Sequence, residues 1–145
     1  MTQATQEDAK HRASCLCGAV QFAVDGDLGE IGHCHCKMCQ KAHGAAFGTY
    51  VSVRVDQVRI DAGEDLISRY ASSPGVERTF CKHCGATLQF FEPDGKYLGI
   101  AAGCVDTPLP DRVDYEIWTS AACSWGSREG LSWTHATEPP HEHSQ

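Results

Sequence analysis

Seven of the nine cysteines fall in three short clusters. Cys15 and Cys17 form CxC, Cys34, Cys36 and Cys39 form CxCxxC, and Cys81 and Cys84 form CxxC, while Cys104 and Cys123 stand alone. Thiols two or three positions apart let one short segment supply two metal ligands, and zinc is the usual occupant. A disulfide framework fits poorly, because the count is odd and the N-terminus has no apolar signal region. That N-terminus points to a reducing, cytoplasmic setting, where disulfides are rare. Isolated buried cysteines behave as small hydrophobes, which is the expected role of Cys104 and Cys123.

The clusters divide by geometry. In an extended segment Cys15 and Cys17 project to one face, making a two-thiolate claw. Cys81 and Cys84 make a second claw through a turn, with Gly85 free to adopt a backbone conformation other residues resist. Two distant claws suit a closed, four-cysteine structural zinc site. The alternative for Cys81 and Cys84 is a redox CxxC, which opens a helix in a βαβ context, but the following Ala86–Phe91 reads as a strand. Cys34, Cys36 and Cys39 come from six residues, so they form a tripod on one side of a metal and leave a fourth position open unless His33 or His43 fills it. Three thiolates make a zinc ion a weak Lewis acid for hydrolysis and favour a further soft ligand, such as an incoming thiol. A coordinated thiol is deprotonated, which keeps a nucleophile available at neutral pH.

The elements that must carry these clusters are mostly short strands. Period-two runs rich in β-branched and aromatic residues occupy residues 20–24, 47–53, 58–60, 67–71, 76–80, 87–91, 97–101 and 115–119. Asp25-Gly26, Ala62-Gly63, Pro74-Gly75 and Asp94-Gly95 supply turns between them. The pattern predicts a mainly β domain of antiparallel sheets with very little helix, the one helical turn being Lys37–His43 ended by Gly44. A single domain over 13–136 is expected, with disordered ends at 1–12 and 137–145, the tail including His141 and His143.

Composition excludes other classes. The chain has 145 residues, 41% hydrophobic, with 12 Lys and Arg against 19 Asp and Glu, a net charge of −7. That acidity argues against nucleic acid as a partner, and seven thiolates would outweigh two bound dications and deepen it. No stretch reaches the roughly 20 apolar residues of a membrane-spanning helix. The oligomeric state is not legible.

The stretches 14–24, 32–51, 78–91 and 99–108 appear in an order that resembles the glutathione-dependent formaldehyde-activating family, which also includes centromere protein V. The resemblance implies a tent-like β fold stapled by zinc and two Zn2+ ions per chain. Residues matching Cys15, Cys17, Cys81 and Cys84 would hold a structural ion, and those matching Cys34, Cys36 and Cys39 a reactive one. It also implies a carbon–sulfur lyase or synthase reaction that joins the thiolate of glutathione to formaldehyde, giving S-hydroxymethylglutathione. A proton must reach the new hydroxyl, for which His35 and His43 are the candidates, with His33 beside them. Lys37 and Lys41 are candidates to meet a carboxylate of the thiol, and Trp118, Trp125 and Trp133 to wall a pocket. Two further readings keep the metals without the reaction: a thiol-binding carrier, and a zinc-stapled interaction module.

Overall fold

A computed structural model describes residues 9–131, 134, 136 and 137. Residues 1–8, Trp133 and most of the expected tail, with His141 and His143, lie outside them. The elements in chain order are β1 (His11–Ser14), β2 (Gln21–Val24), β3 (Ile31–Cys34), α1 (Lys37–His43), β4 (Gly48–Arg54), β5 (Val58–Ala62), β6 (Ile67–Ser73), β7 (Val76–Cys81), β8 (Thr87–Phe91), β9 (Tyr97–Ala101) and β10 (Tyr115–Ile117). The eight periodic runs are all strands. α1 starts and stops where its sequence predicts, with Gly44 in the left-handed conformation at its C-terminus.

Two strands carry no periodic signal. β1 begins at His11, inside the segment expected to be disordered, and pairs His11 with Val24 and Arg12 with Ala23. Its HRAS sequence offers only Ala13 to the core, so its order comes from its partner strand. β3 (IGHC) contains glycine and histidine, both weak strand signals, and is ordered by the register that sets Ile31 opposite Val51 and Cys34 opposite Gly48. The last run stops at Ile117, because Trp118 turns into the left-handed region at φ 57°.

The strands form two sheets, β1-β2-β5 and β10-β3-β4-β9-β8-β7-β6. All pairings are antiparallel except β10 with β3. The β4–β9 pairing joins the two halves of the large sheet, with Val51 opposite Ile100 and Val53 opposite Leu98. One core draws Val20, Phe22 and Val24 from the small sheet's side and Ile31, Val51, Val53, Leu88 and Ile100 from the large one. Each large side chain fully buried there contributes about 1.5–3 kcal/mol.

Alternation along the strands gives the large sheet a second use. Val51, Val53 and Ile100 point into the core, while Tyr50, Ser52, Phe90 and Gly99 line a cavity on the opposite face. The register slips between Thr79 and Phe80 on β7, leaving Leu88 as the extra residue on β8. That irregularity lets Leu88 enter the core although Phe90, two residues on, faces the cavity. No helix among the described residues is long and apolar enough to cross a membrane.

Candidate functional site

The sulfur atoms of Cys15, Cys17, Cys81 and Cys84 lie within 4.8 Å of one another. Cys15–Cys17 and Cys17–Cys81 are 3.5 and 4.0 Å apart. Zinc–sulfur bonds of about 2.3 Å in a regular tetrahedron imply edges of about 3.8 Å, so this donor set fits a closed zinc site. The Cys15–Cys17 pair is made by a turn after β1, not by an extended strand. Gly18, at φ 80°, closes that turn as Gly85, at φ 79°, closes the one at Cys84, and Leu16 sits exposed at its tip. Backbone amides support the sulfurs, with Val20 N–H donating to Cys15 at 3.3 Å and Cys84 N–H to Cys81 at 3.5 Å. The amides of Ala86, then Cys17, bring the Cys84 thiol down to about 6. Cys15 and Cys81 are core residues, so the cluster is built into the packed interior.

Cys34, Cys36 and Cys39 form the second group within 4.8 Å, and no His, Asp or Glu among the described residues joins it. Three different local structures supply them: Cys34 ends β3, Cys36 is the N-cap of α1, and Cys39 lies in its first turn. The Cys36 sulfur accepts from the Cys39 N–H at 3.3 Å, so the N-cap bond is itself part of the tripod. Burial opposes charge on Cys36, but the Cys39 amide, the neighbouring thiols and Arg78 outweigh it and lower its pKa. Burial, followed by the hydrogen bonds of Cys34 and Cys36, pushes Cys39 up to about 12 against the pull of Arg78. Gly48 on β4 seats α1 against the sheet. A Cβ there would come 2.7 Å from the His43 ring and 3.2 Å from Cys39 Cβ.

All three sulfur residues line a cavity of about 860 Å3, within the roughly 300–1,000 Å3 of small-molecule sites. Met38, Tyr50, Phe90, Tyr115 and Trp118 wall it, and Lys37, Lys96 and Glu92 place charge on it. Trp118 is the one non-glycine described residue with positive φ, and it is 63% exposed. A bulky residue held there costs about 1–3 kcal/mol, a strain that collects at functional sites. The wall that carries it is pinned by polar contacts. Ile31 N–H donates to Asp114 Oδ2 at 2.8 Å and Asp114 N–H to Ile31 O at 2.7 Å. Gln40 Nε2 donates to the carbonyls of His35 and Ala121 at 2.7 and 3.1 Å.

His35 and His43 do not line the cavity. His33 Nδ1 is 2.7 Å from Thr49 Oγ1 and His35 Nε2 is 3.0 Å from Glu116 Oε1. His43 packs edge-on against Tyr50, its buried Nε2 without a partner. Burial, then the nearby Arg78 charge, lowers the His43 pKa. Only His33 of the three borders the cavity. Lys37 borders it and Lys41 does not; Trp118 does and Trp125 does not. Cys104 donates to the Thr87 carbonyl at 3.1 Å and, like Cys123, belongs to neither cluster.

Arg78 was invisible to sequence reasoning. It is 8% exposed on β7, with Nη2 3.7 Å from Cys39 Sγ and Nη1 donating to Tyr50 Oη at 3.0 Å. Its guanidinium lies 4.9 Å from the centre of the Phe90 ring. No motif links it to Cys39, because strand register alone brings them together.

A family model described as glutathione-dependent formaldehyde-activating enzyme matches residues 10–121. An uncharacterized lyase of Schizosaccharomyces pombe is 30% identical over 87 residues, 60% of this chain and 61% of that protein. A Halomonas elongata protein with the provisional name glutathione-dependent formaldehyde-activating enzyme is 32% identical over 105 residues, 67% and 66% of the two chains. A Colletotrichum graminicola protein with the same provisional name is 26% identical over 77 residues, 53% and 40%. The chain thus spans between two fifths and two thirds of the curated relatives it matches. A crystal structure of a Rhodobacter sphaeroides protein shares the fold, with a TM-score of 0.59 at 20% identity over 72% of this chain and 98% of that one. With the family model covering most of the chain and the cysteine clusters assembled in space, the chain belongs to the glutathione-dependent formaldehyde-activating family.

Proposed function

We propose that the protein binds a small thiol, glutathione first among the candidates, and joins it to formaldehyde or another small aldehyde. In that addition a carbon–sulfur bond forms, the carbonyl π bond becomes a C–O single bond, and the thiol proton passes to oxygen. The observation that carries the reading is the tripod of Cys34, Cys36 and Cys39 opening onto the cavity. Zinc held by those three sulfurs would supply a place where an incoming sulfur is favoured as thiolate. The chain's residues do the rest. Lys37 and Lys96 offer cations to the carboxylates of a peptide thiol, and Trp118 and Tyr115 cover its body and exclude water from one side. Holding thiol and aldehyde together replaces a bimolecular encounter with a local one.

With His35 and His43 off the cavity wall, the reading assigns the proton's path to cavity water, and leaves these histidines to hold Glu116 and Tyr50 in place. The same observation favours a second reading, a thiol carrier that binds without accelerating the addition. Following S-hydroxymethylglutathione formation with and without zinc-loaded protein separates the two. A rate above the buffer control is expected. A rate equal to it, with glutathione still perturbing the cobalt-loaded spectrum, would leave the carrier standing alone.

A further inference from the structure

Arg78 is a buried charged side chain that no carboxylate among the described residues meets. Among the described ion pairs none includes Arg78, and its Nε is buried without a partner. A guanidinium stays protonated in proteins, and burying it without an anion is strongly unfavourable because its hydration is lost. The Phe90 ring face and the neutral Tyr50 hydroxyl offset only part of that, because a cation–π contact and one neutral hydrogen bond are weaker than an ion pair. The remaining partner is sulfur, with Cys39 Sγ at 3.7 Å and Cys34 and Cys36 beside it. Three thiolates and a divalent ion sum to one negative charge, which a guanidinium cancels. That cancellation matters to a cavity whose guest is itself an anion.

We infer that Arg78 is a positioning residue for the second centre. Its guanidinium holds Cys39 and neutralises the three-thiolate, divalent-ion assembly, so that the cavity floor does not repel an anionic thiol whose carboxylate Lys37 and Lys96 meet. This rests on the metal-bearing, thiol-binding reading above. Loss of charge at position 78 weakens metal at the tripod but not at the four-cysteine cluster, because the contact of Arg78 is with Cys39 alone of the seven clustered sulfurs. Lysine keeps the charge but not the planar fork that joins Cys39, Tyr50 and the Phe90 face, so it retains part of the effect.

The test loads the full chain and its Arg78→Gln and Arg78→Lys variants with cobalt. It measures each centre's affinity against a competing chelator, and the spectral response to 3-mercaptopropionate and to cysteamine. Arg78→Gln is expected to weaken the tripod's cobalt affinity by about 10–100-fold, with the four-cysteine absorption unchanged and Arg78→Lys between Arg78→Gln and the parent. The parent protein should bind 3-mercaptopropionate more tightly than cysteamine, and Arg78→Gln should narrow that preference, leaving the share that Lys37 and Lys96 supply. An unchanged tripod in Arg78→Gln, or equal losses in Arg78→Gln and Arg78→Lys, would overturn the inference by showing no role or a packing role. Tighter cysteamine binding by the parent overturns it with no variant needed, so a Gln variant that fails to fold does not shelter it. A parent chain that holds one cobalt defeats the underlying reading, whereas two cobalts with an indifferent Arg78→Gln defeat this inference alone.

Discussion

The two cysteine clusters set similar donors in opposite surroundings. Cys17 and Cys81 stand 64 residues apart in sequence, and their cluster ties the turn after β1 to the end of β7 with the core packed behind it. Cys34, Cys36 and Cys39 are sequence neighbours, and their cluster faces a cavity. A cross-link between distant segments removes chain entropy from the unfolded state, and a local one removes little. On the proposed reading, that difference suits one cluster to holding the chain together and the other to taking a ligand.

The sharpest way to break this contrast is to remove one sulfur from each cluster. Apparent binding free energies of structural zinc reach about 10–16 kcal/mol, as large as the 5–15 kcal/mol that stabilises a typical domain. Cys81→Ser should therefore lose both metal and tertiary structure, seen as a collapsed near-ultraviolet circular dichroism signal. Cys36→Ser should keep its fold and retain one metal equivalent. If Cys36→Ser unfolds as completely as Cys81→Ser, the division of labour is wrong.

A subtler strain on the tripod comes from its seat. Gly48→Ala drives a methyl against His43 and Cys39, an overpacking cost of about 1–3 kcal/mol. Chelator competition should show weaker metal at the tripod and an unaltered four-cysteine cluster. The cavity wall gives a smaller effect with two opposed signs. Trp118→Gly relieves about 1–3 kcal/mol of left-handed strain against a chain-entropy cost of about 0.5–1 kcal/mol. A melting temperature equal to or above the parent's, together with weaker thiol binding, is the expected pair of results. Unchanged thiol binding would remove Trp118 from the site.

The smallest effect concerns the clasp beneath that wall. The Ile31 amide, then Arg112, holds the Asp114 carboxyl below its ordinary pKa. A depressed carboxylate stabilises the fold above its unfolded value of about 3.9, and that contribution is lost as pH falls through the lowered folded value. At neutral pH, Asp114→Asn should speed hydrogen exchange at the Ile31 amide. Exchange at parent rates would show that strand pairing alone holds the wall.

Much of this was legible because it is local. The periodic runs became strands, and α1 runs from Lys37 to His43 as its capping signals predict. β1 and β3 were not legible, since HRAS and IGHC hold no alternation and owe their order to Val24, Ala23 and Val51 across the ladder. The CxC claw forms, but through a turn and not an extended segment: Gly18 permits the turn that brings Cys15 and Cys17 together, and a spacing of two fits either geometry.

By itself the sequence determined the seven candidate ligands, their division into four and three, and a β-rich frame, because spacing and alternation are properties of neighbours along the chain. Only the tertiary structure decided what each cluster faces. Strand register put Arg78 beside Cys39 and Phe90, seated α1 on Gly48, and turned His35 and His43 from the cavity while turning Trp118 toward it. Which charge lies near which sulfur depends on contacts between residues tens of positions apart, and no local pattern encodes them.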